Sequence, residues 1–302
     1  VSQGEYGSDA IPAAVRDCAS RKTSAARRNR FALAAPGGGA SHRRVSSFFP
    51  AHSAHSPAPT AVILAAGLGS RLRGTHDGPK GLLPVGGVPL VQRSLDALRA
   101  AGVAEVVLVT GYRADDYHAF LAAHAPHVRT RHNPDFARTG SLHSLWLARD
   151  AVPGDVLLLE SDLLFEPRAL TALLAAPRGN HVLLSGTTGQ GDEVFAYGAG
   201  GRLRGLSKER RTGETPAGEF TGLTRLTREF FSALCAHYGA RVAVPSNVHY
   251  EDGLTALAAT HPVELLLVPD LRWAEIDDAA QHARALREAL PALPSPAHAG
   301  AA

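Results

Sequence analysis

The sequence predicts an α/β protein with a doubly wound, mostly parallel sheet and an antiparallel extension. Three observations carry that prediction. Short continuous apolar runs at 62–64, 106–110 and 156–160 read as strands buried on both faces. Helical patterns fall between and after them, giving a βαβαβα rhythm. After His181 the texture changes to short strands separated by glycine-rich turns.

Taken in order, a strand at 61–66 runs into the loop Gly67-Leu68-Gly69. Pro89 opens a helix with Val91, Leu95 and Leu98 on one face, and Gly102 closes it. A strand at 106–110 precedes a helix near 114–124. Then come a helix at 141–150, a strand at 156–160 and a helix at 167–176. Strands are expected at 181–185, 193–198, 202–206 and 219–225, with helices at 226–238 and 251–260. A strand at 263–268 and a helix at 278–290 complete the pattern. Residues 60–290 therefore read as one domain, the antiparallel part completing its site.

The composition, 45% hydrophobic and 20% charged, suits a soluble α/β domain. The net charge of +3 is unevenly spread: residues 1–59 carry eight basic and three acidic side chains, the rest 23 basic and 25 acidic. The basic excess belongs to the first segment, so the domain gains no support as a nucleic-acid binder. Segment 1–59 is rich in Ala, Ser, Gly, Arg and His without apolar periodicity, and is expected to be disordered. Its Arg- and Ser-rich, acid-poor character is faintly like a transit peptide. A first residue Val1 and no methionine read more simply as an over-extended gene start. Residues 291–302 read as a loose tail. Two cysteines, Cys18 and Cys235, provide no disulfide framework and fit a reducing, cytoplasmic setting. No run approaches the ~20 apolar residues of a membrane span.

The glycine loop carries the first chemical signal. Gly67 and Gly69 let backbone amides approach phosphate oxygens with no Cβ in the way. Arg71 follows with a planar fork, and Lys80, in Gly78-Pro79-Lys80, offers a point charge on a flexible stem. A dinucleotide turn needs a third small residue in the G-x-G-x-x-G/A spacing, and Leu72 stands there instead. The loop is read as a grip on a nucleoside triphosphate.

Asp162 follows the strand at 156–160, where open α/β sheets place their ligands. It suits Mg²⁺ and, taken alone, equally suits a cap or turn. The phosphate loop ahead of it favours the metal. In Ala274-Glu275-Ile276-Asp277-Asp278, strand alternation puts Glu275 and Asp277 on one face, with Asp277 favoured as ligand and Asp278 as helix cap. Lys208 is a candidate for a second phosphate, although a lone lysine is usually solvated. The stretch Thr139-Gly140-Ser141 offers small hydroxyls and amides at a helix start. His143 and the other histidines build no zinc site, and no Ser-His-Asp grouping or G-x-S-x-G elbow is visible.

Together, Leu64-Ala-Ala-Gly-Leu-Gly-Ser-Arg-Leu72 and Pro79-Lys80 resemble the signature of the sugar-nucleotidyltransferase superfamily. Thr110-Gly-Tyr112, Ser144-Leu-Trp-Leu147, Ser161-Asp162, Gly191-Asp-Glu-Val194, Gly218-Glu-Phe-Thr-Gly222, Tyr250-Glu-Asp252 and Glu275-Ile-Asp277 resemble the small CTP-dependent cytidylyltransferases of phosphocholine and 2-aminoethylphosphonate. The resemblance covers roughly 61–290 and implies a Rossmann-like, nucleotide-diphospho-sugar transferase-like fold. It implies that Ala66, Gly67, Gly69, Ser70 and Arg71 hold the CTP triphosphate, with Ser141 on the nucleotide. Lys80 would stabilise charge at the α-phosphate. Asp162 and Asp277, with Glu275 beside them, would hold Mg²⁺, and Lys208 would orient the acceptor phosphate or phosphonate. Glu193, Thr221, Tyr250 and Glu251 would lie toward the acceptor.

Asp192-Glu193-Val194 holds a carboxylate where the choline enzymes have tryptophan. A carboxylate accepts hydrogen bonds from a primary ammonium, whereas trimethylammonium has no N–H to donate. This favours an aminoalkyl phosphonate over phosphocholine. Gly140-Ser141 departs from the asparagine frequent in related enzymes. Two rivals stand beside this reading: a sugar-1-phosphate nucleotidylyltransferase, and a non-catalytic nucleotide-sensing module.

Overall fold

The computed structural model describes residues 58–72, 74–189, 191–240, 242 and 246–293. All belong to the compact unit Ala54–Ala302. Of the expected tails, 1–57 and 294–302 lie outside the described residues.

In chain order the strands are β1 (Thr60–Ala65), the hairpin β2 (Pro84–Val85) and β3 (Val88–Pro89), β4 (Val106–Thr110), β5 (Arg129–His132), β6 (Val156–Glu160), β7 (Leu163–Phe165), β8 (Asn180–Ser185), β9 (Phe195–Ala199), β10 (Arg202–Ser207), β11 (Gly218–Leu226), β12 (Val263–Val268) and β13 (Trp273–Glu275). The helices are α1 (Leu90–Ala100), α2 (Ala114–His124), α3 (Ser141–Leu147), α4 (Arg168–Ala175), α5 (Arg228–Gly239), α6 (Tyr250–Leu257) and α7 (Ala279–Arg284).

Nine strands form one mixed sheet in the order β5-β4-β1-β6-β11-β8-β12-β10-β9. The first four are parallel neighbours, and three of them, β4, β1 and β6, are the buried runs read from sequence. The antiparallel strands expected after His181 are present, but β11 lies inside the sheet, antiparallel to both β6 and β8. All nine of its residues are buried, which an edge position would not allow. Its pairing with β8 shifts register between Phe220 and Thr224, around Gly222 at φ +76°. A Cβ at Gly222 would lie 3.5 Å from the Glu160 carboxyl carbon, so this bulge borders the acidic end of β6.

Alternation along β1 sends Val62 and Leu64 to one face and Ala61, Ile63 and Ala65 to the other. The first face is covered by α3, α5 and α6 through Leu142, Leu145, Phe230, Leu234 and Leu254. The second is covered by α1, α2 and α4 through Leu95, Leu98, Tyr117, Leu170 and Leu173. Burying each such large side chain is worth about 1.5–3 kcal/mol. A third cluster, including Leu83, Leu164, Ile276 and Ala285, lies under a small ladder that matters for the site.

That ladder pairs β7 with β13, placing Glu275 opposite Leu163. The Ile276 amide then donates to the Asp162 carbonyl at 3.1 Å. Residues more than a hundred positions apart thus meet at the carboxyl end of β6. The expected final helix begins as α7 and continues as a π turn, Ala285–Ala289. Strand β5 was not anticipated: Arg129-Thr-Arg-His132 is a polar, partly exposed edge strand without an apolar signature.

Candidate active site

One cavity of about 590 Å³ opens where β1, β6, β10, β13 and α6 converge. Its walls include Ala66, Gly67, Arg71, Lys80, Ser141, Asp162, Lys208, Glu251, Glu275 and Asp277, so ten of the residues singled out from sequence meet there.

On the loop side, β1 ends and the chain turns through Gly67 to a 3₁₀ turn at Ser70–Leu72. Gly69 has φ +58°, and a Cβ there would sit 2.6 Å from Lys80 Cγ. Glycine is therefore needed both for the turn and for the path of Lys80. Gly69 and the exposed Ser70 are not among the residues lining the large cavity. Lys80 opens a second 3₁₀ turn, which is pinned where the Gly81 amide donates to Tyr117 Oη at 3.1 Å.

Lys80 Nζ lies 2.5 Å from Asp162 Oδ2 and also pairs with Asp277 Oδ1. Burial works against its ammonium, but Asp162 and Asp277 outweigh that and raise its pKa. Arg71 donates to the other Asp277 oxygen from an exposed position. Burial tends to raise Asp277, yet Lys80 and then Arg71 hold it below the usual carboxylate range.

Behind this pair, Glu160, Asp162 and Glu275 bring carboxylate oxygens within 4.8 Å of one another. Burial pushes Glu275 up to about 8, helped by repulsion from Asp162 and Asp277. Glu160 is raised well above its ordinary value by burial and by Glu275, Glu251 and Asp162. Asp162 Oδ1 is buried with no hydrogen-bond partner among the described residues. An all-oxygen donor set crowded with negative charge, with one orphaned buried oxygen, fits a hard divalent cation such as Mg²⁺. Asp278 caps α7, its Oδ1 accepting from the Gln281 amide at 2.8 Å.

Glu160 was missed from sequence although a signal existed: it is the last residue of β6, two positions before Asp162 in the turn that follows, at the same carboxyl end of the strand. Tyr250 Oη donates to Glu160 Oε1 at 2.5 Å, placing Tyr250 behind the acidic cluster, not on the cavity wall. Two other residues expected near the acceptor also lie off the wall. The Thr221 hydroxyl donates to the Leu183 carbonyl at 3.0 Å, and Glu193 Oε2 accepts from the Gly191 amide at 3.0 Å. Glu251 does line the cavity, and its buried Oε2 has no hydrogen-bond partner among the described residues. Burial pushes its carboxyl up to about 7. Asp252, Asn247 and His249 line the same region and were not anticipated.

Ser141 Oγ accepts from the Tyr250 amide at 3.1 Å, joining the start of α3 to α6. Beside it, a Cβ on Gly140 would lie 2.2 Å from the Val248 carbonyl oxygen. Gly140→Ala should therefore force the two segments apart and destabilise the fold by about 1–3 kcal/mol. Thermal melting checks this; an unchanged midpoint would contradict the close packing.

Residues 61–296 match the model of the MobA-like NTP transferase domain. The chain is 35% identical over 239 residues to CMP-5'-(3-aminopropyl)phosphonate synthase of Streptomyces rubellomurinus, covering 72% of this chain and 37% of that protein. It is 30% identical over 156 residues to 2-aminoethylphosphonate cytidylyltransferase of Lancefieldella rimae, covering 49% of this chain and 60% of that protein. The chain thus spans less than two thirds of either relative. Among solved structures, the inositol-1-phosphate CTP transferase of T. maritima matches with TM-score 0.64 at 22% identity, over 74% of this chain and 91% of that one. CTP:phosphocholine cytidylyltransferase from Streptococcus pneumoniae matches with TM-score 0.62 at 18% identity, over 76% and 97%. These likenesses show the nucleotide-diphospho-sugar transferase-like fold, and the domain match, spanning most of the chain, shows that it belongs to the MobA-like NTP transferase family.

Proposed function

We propose that the domain, residues 60–290, is a Mg²⁺-dependent cytidylyltransferase. It transfers CMP from CTP to a small aminoalkyl phosphonate and releases pyrophosphate. The observation that carries this reading is a single cavity in which the acidic cluster shares its walls with two lysines, Lys80 beside the glycine loop and Lys208 after β10. Such a site suits two phosphorus groups brought together without a protein nucleophile.

In the proposed reaction an acceptor phosphonate oxygen attacks the α-phosphorus of CTP. A new P–O–P bond forms, the bond from the α-phosphorus to the oxygen bridging to the β-phosphate breaks, and pyrophosphate departs. Gly67 amide and Arg71 hold the triphosphate, together with Ala66, Gly69 and Ser70 of the same loop. Lys80 neutralises charge growing at the α-phosphate, and Lys208 orients the phosphonate. Glu160, Asp162 and Glu275 would hold Mg²⁺, with Asp277 adjacent through Lys80. The ion, when bound, supplies charge neutralisation to the triphosphate oxygens.

The named activities of the two relatives favour a phosphonate acceptor. The described residues around the cavity favour an amine end with N–H groups. Among them the Phe and Tyr members are Tyr117 and Phe136, both near the nucleotide loop, and the Glu251 carboxylate stands close enough to Lys208 to feel its charge. A quaternary ammonium would need an aromatic cage. A nucleotide-sensing module would be free to lose Arg71, Lys80, Asp162 or Asp277, and all four are retained.

A pyrophosphate-release screen tests the reading and its sugar-phosphate rival together. CTP should far outperform UTP, dTTP and GTP, and 2-aminoethylphosphonate or 3-aminopropylphosphonate should outperform phosphocholine and sugar 1-phosphates. Preference for a sugar 1-phosphate with UTP or dTTP would overturn it.

A further inference from the structure

We propose that Gln281 is a positioning residue that ties the acceptor side of the cavity to the turn bearing Asp277. The inference rests on the cytidylyl-transfer reading above for its kinetic consequence only. Gln281 is 6% exposed, and its side chain is spent at three points. Its Oε1 accepts from the Asp277 amide at 2.6 Å and from the Asp278 amide at 3.0 Å. Its Nε2 donates to Asp192 Oδ2, 89 residues away in sequence.

Part of this is ordinary helix capping. Asp278 and Gln281 form a capping box, which accounts for the Asp278 amide and for the Gln281 amide on Asp278 Oδ1. A capping box requires neither the Asp277 amide nor Asp192. The Asp277 bond fixes the backbone from which that carboxylate reaches Arg71 and Lys80. The Asp192 bond reaches the segment between β8 and β9, whose next residue but one, Val194, lines the cavity.

Among the described residues of that segment, the other anchors sit on either side of Asp192. Gly189 and Gly191 have φ of +73° and +89°. Thr188 is held by Glu219 at 2.7 and 3.1 Å, and the Gly191 amide by Glu193. Just before β9, the Phe220 amide of β11 donates to the Val194 carbonyl at 2.8 Å. The segment's start is tied to the β13 side by the Gly186 amide on the Pro269 carbonyl at 3.1 Å and by Trp273 Nε1 on Ser185 Oγ at 2.8 Å. The Asp192–Gln281 bond adds the tie to α7 at its far end, two residues before Val194. One buried carboxamide serves both halves of the site, accepting toward Asp277 and donating toward the acceptor wall.

The two roles can be separated by substitution. Gln281→Glu keeps an oxygen for the Asp277 and Asp278 amides but sets a carboxylate against Asp192. Asp192→Ala removes the link and leaves Gln281 untouched. Combining Gln281→Glu with Asp192→Asn exchanges donor and acceptor, so the bond can re-form in reverse. Each single variant should raise the acceptor KM about tenfold, the scale of one hydrogen bond to a charged group, with CTP KM within about twofold. The double variant should recover most of the loss. Hydrogen exchange of the amides of residues 191–194 should quicken in both single variants and slow again in the double.

Unchanged exchange in both single variants, or a double variant no better than Gln281→Glu alone, would overturn the inference. A wild-type chain that transfers CMP to no acceptor would instead sink the functional reading, leaving the exchange measurement to judge the link. Asp192→Ala keeps the test open should Gln281→Glu lower the melting temperature.

Discussion

Lys80→Ala should slow pyrophosphate release by about a hundredfold to a thousandfold, the usual cost of removing one preorganised charge at a developing anion. Lys80 is the shared partner of Asp162 and Asp277, and it reaches them because Gly69 leaves room for its stem. Removing it does more than weaken phosphate binding. It leaves carboxylates facing Glu160 and Glu275, and among the described residues Arg71 remains as the cation paired with Asp277. Without divalent metal the variant should melt earlier than wild type, since stranding a buried charge is costly. Added Mg²⁺ should raise its melting temperature more than it raises that of wild type, because the ion binds the folded state only. A wild-type rate would remove Lys80 from the chemistry, and an absent Mg²⁺ response would argue against its charge-balancing role.

Asp162→Asn should reduce turnover by a similar or larger factor through a different route. The substitution preserves volume, and the backbone bond from Ile276 to the residue-162 carbonyl does not depend on the side chain. The fold should therefore persist, with circular dichroism and melting close to wild type. What disappears is an anionic oxygen that no described residue satisfies and half of the Lys80 pairing. Affinity for divalent metal should fall, on the order of tenfold, as a hard cation loses one charged ligand. The two variants thus move metal affinity in opposite directions: Lys80→Ala strengthens it or leaves it unchanged, Asp162→Asn weakens it. Calorimetric titration with Mg²⁺ distinguishes them, and a fall in both would contradict the assignment of Lys80 as the cluster's internal counter-ion.

The parts of this site legible from sequence were those with a local pattern. The strand, glycine loop, Arg71 and Lys80 lie within one short stretch, and the capping role of Asp278 follows from its place ahead of a helix. Glu275 and Asp277 could be paired by alternation, but their meeting with Asp162 depends on the β7–β13 ladder, a three-residue contact between distant segments. Glu160 was passed over because it ends an apolar strand and reads as its boundary. The acceptor side was least legible. Thr221, Glu193 and Tyr250 sit in motifs of the right kind, yet each turns its polar atom to a neighbouring protein group, and residue type alone does not reveal that. Glu251, one position from Tyr250, faces the cavity because it opens α6 beside the loop containing His249. Likewise, burial of β11 on both faces explains why an antiparallel strand occupies the sheet interior, where sequence order alone would add it to the edge.

The most direct measurement follows ³¹P NMR of the protein with CTP, Mg²⁺ and 2-aminoethylphosphonate or 3-aminopropylphosphonate. Loss of the CTP resonances is expected, matched by free pyrophosphate and by a pair of mutually coupled phosphorus signals from the new phosphonate–phosphate anhydride, all at least about a hundredfold slower with Asp162→Asn. Persistence of intact CTP with both phosphonates, or equal conversion by the Asp162→Asn variant, would contradict that expectation.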